Sequence, residues 1–276
     1  MSSFEPHSPK LETGTRPRLY CATMLLIAAY AVGLLAAMLL WPALPQDQSY
    51  HAFAGRATPE LDTANFVTNI AYLLAGIWGL LVIERRAVFH DTLERQLGRL
   101  FFIALFATGL GSAWYHYSPD NPSLFWDRLP LSLVLVSATA LLLAERTEAD
   151  RSGAWLLVAW LLAGPAAVIY WYVTESMGIG DLRPYLALHA MLIIVPPIAF
   201  LLPARYTHTK GYVIALALYL IGYLGDRFDH QVYALTGELV SGHNIKHVAT
   251  GAAAAMVAWT MQRRRRLQSA TDGNGR

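Results

Sequence analysis

The groups able to do chemistry in this chain recur at helical spacing. His243 and His247 in "SGHNIKH" are four positions apart, as are Ser112 and His116 in "GSAWYHYSPDNPSLFWDRLP". On a helix, residues at i and i+4 project from one face a turn apart. Two imidazoles so placed can hold one metal ion, and a third from a facing helix completes three protein ligands with an open position, the pattern of catalytic zinc. His116 is the candidate for that third ligand. Zinc held by neutral imidazoles brings the pKa of a bound water near neutrality and polarises a carbonyl. Asp127 is then the candidate general base, passing the water proton to a leaving amine, and Ser112 a donor to the developing oxyanion. Each group also has a structural reading. The histidines could bond to carbonyls or water at a helix start, Asp127 could pair with Arg128 or cap a helix, and Ser112 could permit close helix contact beside Gly109 and Gly111. "HNIKH" is not the zincin signature, because Asn244 stands where H-E-x-x-H has glutamate.

The elements that must position these groups are membrane helices. Hydrophobic residues make up 55% of the 276 and charged residues 14%, with a mean hydropathy of +0.36, far from a soluble domain. Residues 19–41, 63–83, 153–174 and 184–203 are charge-free runs long enough to cross a bilayer. Residues 100–115, 129–144, 211–225 and 248–261 reach that length only by absorbing polar residues at one end. The expectation is an all-α polytopic bundle of eight spans: an extra N-terminal helix (19–41) and a seven-helix core (60–262), between a disordered tail (1–18) and a basic one (263–276). The run 19–41 is too long for a signal-peptide core. Placing both termini in the cytoplasm leaves only Arg56, Arg128, Arg183, Arg227 and Lys246 outside, of 21 Lys and Arg residues. That bias supports an N-in, C-in topology. "RRRR" at 263–266 reads as a cytoplasmic stop rather than a nucleic-acid or anionic-lipid patch. The formal charge of +2 gives no argument for a nucleic-acid partner, and the single cysteine, Cys21, excludes an intrachain disulfide.

In this topology the polar ends of the four short spans meet at the outer third of the membrane. They carry Ser112 and His116, Asp127 and Arg128, Asp226, Arg227, Asp229 and His230, and Ser241, His243, Lys246 and His247. Ionisable groups at such depth face the bundle interior, where they pair or serve function. Asp226 with Arg227 reads as an interior ion pair, and His189 as a hydrogen-bonded core histidine or a contact to a substrate hydroxyl. Tyr115, Trp114, Trp126 and Trp171 read as an interfacial aromatic belt. Glu175 and Asp181 read as solvated loop residues.

These motifs resemble a known family. "GLGSAWYHYSPDNPSLFWDRLPLSL" is similar to the alkaline ceramidase signature, "GHNIKHVATG" to its late His-x-x-x-His helix, "YLGDRFD" to the Asp-containing helix end before it, and "DTANFVTNIAYLLAG" to its Asn-rich first core helix. The resemblance covers about residues 60–261, in order. It implies a seven-helix zinc-dependent membrane hydrolase, of the superfamily that includes progestin and adipoQ receptors. By it His116, His243 and His247 would be zinc ligands, and Ser112 and Asp127 the polar partners of the metal water. The implied reaction is hydrolysis of the amide of ceramide, a membrane lipid, to a long-chain base and a fatty acid. The implied setting is a bacterial inner membrane, with the site near the periplasmic face. The family's Glu after the motif aspartate is Arg128 here. Its acidic calcium segment has no clear counterpart, Asp47 and Asp62 being the nearest candidates, so calcium is not expected. A lipid esterase or phospholipase, a receptor-like protein with a structural metal, and a haem or quinone protein are the competing readings.

Overall fold

A computed structural model describes residues 16–48, 50–51 and 59–267, the last segment with side chains from Thr63 onward. Each apolar run is helical over most of its length. The helices are α1 (Leu19–Leu40), α2 (Pro59–Thr68), α3 (Ile70–Arg85), α4 (Thr92–Tyr117), α5 (Asn121–Ala144), α6 (Arg151–Ser176), α7 (Arg183–Ala199), α8 (Lys210–Arg227), α9 (Asp229–Leu235) and α10 (Gly242–Arg263). Among the described residues only two isolated bridges have β pairing.

Being helical is not the same as crossing a membrane. Five helical stretches are long and apolar enough to do so, or six if the pair α8 and α9, bent by 87°, counts as one span. These make the chain an all-α protein with the character of an integral membrane protein. The count falls short of the eight expected for a physical reason. Helix α7 is only 17 residues long, and α10 carries His243, Lys246, His247 and Arg263 in its 22.

The fold is built by close helix approach. Helices α4 and α5 form a tight hairpin, α10 lies along α8 and α3, and α6 and α7 close the other side of α5. Helix α1 docks on α6 and α7. Arg183 donates to the last carbonyls of α1, at 2.6 Å for Trp41, and Tyr30 donates to the Pro184 carbonyl at 3.0 Å. At its other end, Asp150 caps α6 and also accepts from the Tyr20 backbone at 2.9 Å.

The expected tails, 1–15 and 268–276, lie outside the described residues, as does the side chain of Asp62. The boundaries given to those tails need correction. Arg16 pairs with Glu148 at 3.2 Å, so the ordered fold begins before residue 19. Arg263 closes α10, and Arg264 is buried, bonding Glu145 and the Tyr212 hydroxyl. Arg266 donates to the carbonyls of Phe89 and His90. Part of the "RRRR" run is therefore internal glue, its buried charge offset by such partners.

Candidate metal centre

Local chemistry sets the start of each helix that carries the site. Asp120 caps α5, accepting from the Ser123 backbone at 2.7 Å, while Ser123 Oγ accepts from the Asp120 backbone at 3.1 Å. Those hydrogen bonds hold the Asp120 carboxyl below the usual carboxylate range. Ser241 and Asn244 make the same reciprocal box at the start of α10. Pro130 lies inside α5 and has no N–H, which leaves the Trp126 carbonyl, four residues earlier, without its usual helical donor. Gly111 packs against that carbonyl so closely that an added Cβ would sit 2.2 Å from it. The backbones of α4 and α5 touch there, which brings Ser112 against Asp127. Gly242 does the same for α10 against Gly225 of α8.

These approaches bring His116, His243 and His247 together, all buried, with one ligand atom of each within 4.8 Å of the others. His116 Nε2 and His243 Nε2 are 3.0 Å apart, and His247 Nε2 is 3.5 Å from Ser112 Oγ. Two nitrogens each about 2.1 Å from a tetrahedral ion would lie about 3.4 Å apart, so the His116–His243 spacing needs little adjustment.

The partners of the other ring nitrogens fix which nitrogen faces inward. Asp226 Oδ1 lies 2.7 Å from His243 Nδ1, and a carboxylate can only accept, so that contact requires a proton on Nδ1, which Lys246 Nζ also approaches at 3.2 Å. The Thr68 hydroxyl donates to the Ala64 carbonyl at 2.8 Å, so its contact with His247 Nδ1 at 2.9 Å must be accepted from the ring. In their neutral form both α10 histidines therefore turn an unprotonated Nε2 towards the centre. Lone pairs converging in a buried space call for a cation, and Nδ1 held by a carboxylate or hydroxyl is the usual support of a metal-bound imidazole. The triad is placed to bind a metal ion, compatible with zinc. A haem is disfavoured because a macrocycle has no slot between nitrogens 3.0 Å apart.

Asp127 is buried within α5, and its carboxylate is hydrogen-bonded to Ser112. It is not a helix cap, because Asp120 has that role, and it makes no ion pair with Arg128. Arg128 instead donates to Gln46 Oε1 at 2.7 Å and stacks on Trp171 at 4.4 Å. Asp226 likewise does not pair with Arg227, which is exposed; its partners are His243 and Lys246, the latter at 3.0 Å. Adjacent residues on a helix do not face each other, which defeats both pairings. His189 bonds the Tyr219 hydroxyl at 2.7 Å and also lines the chamber that lies beside the triad, which fits both readings given to it.

The aromatic belt divides. Trp114 and Trp126 are half exposed, but Tyr115 and Trp171 are fully buried and are not interfacial anchors. Asp181 is also buried, clamping Arg183 at 2.8 Å, and Glu175 accepts from the Gln46 backbone, so neither is a simply solvated loop residue.

Sequence reasoning missed the segment over the site. The Tyr50 ring stacks on Tyr115 and meets His243 edge-on, while His51 bonds Tyr115 Oη at 3.1 Å and Asn121 Oδ1 at 2.9 Å. The clustered polar and aromatic residues of "QDQSYH", directly before the core, were the available signal. Beside the triad lies a chamber of about 290 Å³. Asp127, Asp226 and Lys246 line one end, Glu145 and Tyr212 the other, and aliphatic and aromatic side chains the walls. Asp127 and Glu145 are 18 residues apart on α5, so the chamber runs roughly 27 Å along the bundle.

No protein-family model and no curated protein matches the chain.

Proposed function

We propose that the protein is a metal-dependent hydrolase of a membrane lipid amide, ceramide or a close analogue, with His116, His243 and His247 holding zinc. The observation that carries this reading is the convergence of three imidazoles on a point flanked by Asp127 and Ser112, at the head of a long apolar chamber. The motif resemblance to alkaline ceramidases supports the same chemistry. When bound, zinc would supply Lewis acidity, acidifying water and polarising the acyl carbonyl.

The chain's own residues do the rest. Asp127 takes the proton of the attacking water as its oxygen bonds to the acyl carbon, then returns it to the amine nitrogen as the C–N bond breaks. Burial places this carboxylate where water cannot compete for the proton. Ser112 touches both Asp127 and His247, so its hydroxyl orients the base or donates to the carbonyl oxygen as charge develops. The Asp226–His243 and Thr68–His247 contacts hold both imidazoles in the ligating tautomer. The apolar walls receive the acyl chain, and α7 and α8, which meet only sparsely, offer lateral entry.

The finer topology belongs to the same proposal. Eight spans are counted when α7, α8 and α10 cross as well, with both termini inside, the site near the periplasmic face and a bacterial inner membrane as the setting. The excess of Lys and Arg at the end away from the histidines supports that orientation.

The test is to incubate purified, zinc-loaded protein with ceramide and with phospholipid and identify products by mass spectrometry. A free long-chain base is expected. Fatty acid released from the phospholipid alone would make the enzyme an esterase, and no product from either lipid would leave a receptor-like protein.

A further inference from the structure

The chamber holds two cations beside the triad, and they differ in one respect. Lys246 is neutralised by Asp226 at 3.0 Å. Arg128, which lines the same end, forms no ion pair among the described residues. Its Nη2 donates to the neutral Gln46, and its Nη1 is buried with no hydrogen-bond partner. The guanidinium lies over Trp171 at 4.4 Å and within 5.4 Å of the Tyr185 centroid. Gln46, itself buried, is fixed by Glu175 through its backbone. The fork is thus held rigidly by stacking and one hydrogen bond, while a charged donor stays unsatisfied.

A half-buried charge without an ion-pair partner is costly, and natural sites keep one where a ligand supplies the missing charge. Asp127 lies near enough to attract Arg128 but makes no ion pair with it, its carboxylate being hydrogen-bonded to Ser112. A planar guanidinium matches an oxyanion, which it can bind through two parallel N–H donors once the ligand reaches the unpartnered Nη1.

We propose that Arg128 receives the oxyanionic headgroup of the lipid in the chamber, so that the substrate is an acidic amide lipid bearing phosphate, sulfonate or carboxylate. This deepens the hydrolase reading and rests on it for the word substrate. Because Arg128 and Asp127 both line the chamber, the acidic group lies in the same chamber as the amide.

The test uses zinc-loaded protein and reads binding and turnover separately. Dodecyl phosphate, dodecanoate and dodecanol are titrated against wild type, Arg128→Gln and Arg128→Lys, with zinc content checked for each. Wild type should prefer dodecyl phosphate to dodecanol, and Arg128→Gln should weaken phosphate binding about 10- to 100-fold, the range for a lost charged hydrogen bond. Arg128→Lys, which keeps the charge but not the fork, should fall between, and it serves if the Gln variant does not fold. Equal phosphate affinity in wild type and variants would show that the metal alone binds the anion and would overturn the proposal. Tighter, Arg128-dependent binding of dodecanoate would assign the site to the released fatty acid and overturn the headgroup reading.

In parallel, N-dodecanoyl amides of a neutral amino alcohol and of its phosphate ester are offered as substrates. Faster cleavage of the phosphate ester is expected. If neither is cleaved yet dodecyl phosphate binds in an Arg128-dependent way, the hydrolase reading fails and the anion site stands. Preferred cleavage of the neutral amide would leave the hydrolase reading standing and overturn the acidic headgroup.

Discussion

Gly111→Ala should disable the site without touching any of its functional groups. An added Cβ would lie 2.2 Å from the Trp126 carbonyl oxygen, 2.9 Å from its carbon and 3.1 Å from the Asp127 Cα. All three are backbone atoms, so no side chain can rotate away. Reaching even the tightest tolerated contact requires α4 and α5 to part by about 0.8 Å, in a core too dense to absorb it freely. Such overpacking costs about 1–3 kcal/mol. The displacement falls between Ser112 and Asp127, and a misplacement of about 1 Å in a catalytic group costs on the order of 100-fold in rate. Thermal unfolding in detergent, metal content and ceramide hydrolysis should be measured together. Lowered stability, retained metal and turnover reduced on the order of 100-fold are expected. Gly33→Ala is the control, since its Cβ would meet nothing within 4 Å. Stability and turnover of Gly111→Ala equal to those of that control would refute the reasoning.

Other perturbations separate the roles of individual groups. Asp127→Asn should keep the metal and abolish turnover; retained turnover would remove it as the base. Asp226→Asn takes away the acceptor of His243 Nδ1 and should weaken zinc binding about 10- to 100-fold in chelator competition, as loss of such supporting groups does. Its pairing with Lys246 predicts a stability loss as well. Thr68→Val should weaken zinc binding through His247, and an unchanged affinity would show that the ring is held by other means. Asp120→Ala should cost about 1 kcal/mol through the lost cap of α5. Because folding lowers the Asp120 pKa, its contribution is present above the unfolded value near 4 and is lost as pH falls through the lower folded value. The unfolding curves of wild type and variant should therefore converge in acid.

The histidines were legible in the sequence because helical spacing is itself a geometric statement: i and i+4 share a face in any helix, and the capped start of α10 fixes where its face begins. Partner choice was not. Asp127 with Arg128 and Asp226 with Arg227 are neighbours in sequence but diverge around the helix, and their true partners come from other helices. Burial of aromatics was equally hidden, since hydropathy does not say which side of a membrane helix faces the bundle; Trp114 and Trp171 read alike and lie on opposite sides of that divide. Tyr50 and His51 sit in a connecting segment without periodicity, so nothing local announced that they cover the triad. The apolar-helix count falls below eight for a related reason. Helices α8 and α10 carry the site's own polar residues, and the chemistry that makes them useful lowers the apolarity by which spans are counted.

The most direct test of the central claim is metal analysis of the purified protein beside His243→Ala. About one zinc per chain is expected in the wild type, with no visible absorbance, and its loss in the variant while the fold persists by circular dichroism. Protein that carries no metal and takes up none on titration with zinc, or a Soret band in its spectrum, would contradict the account.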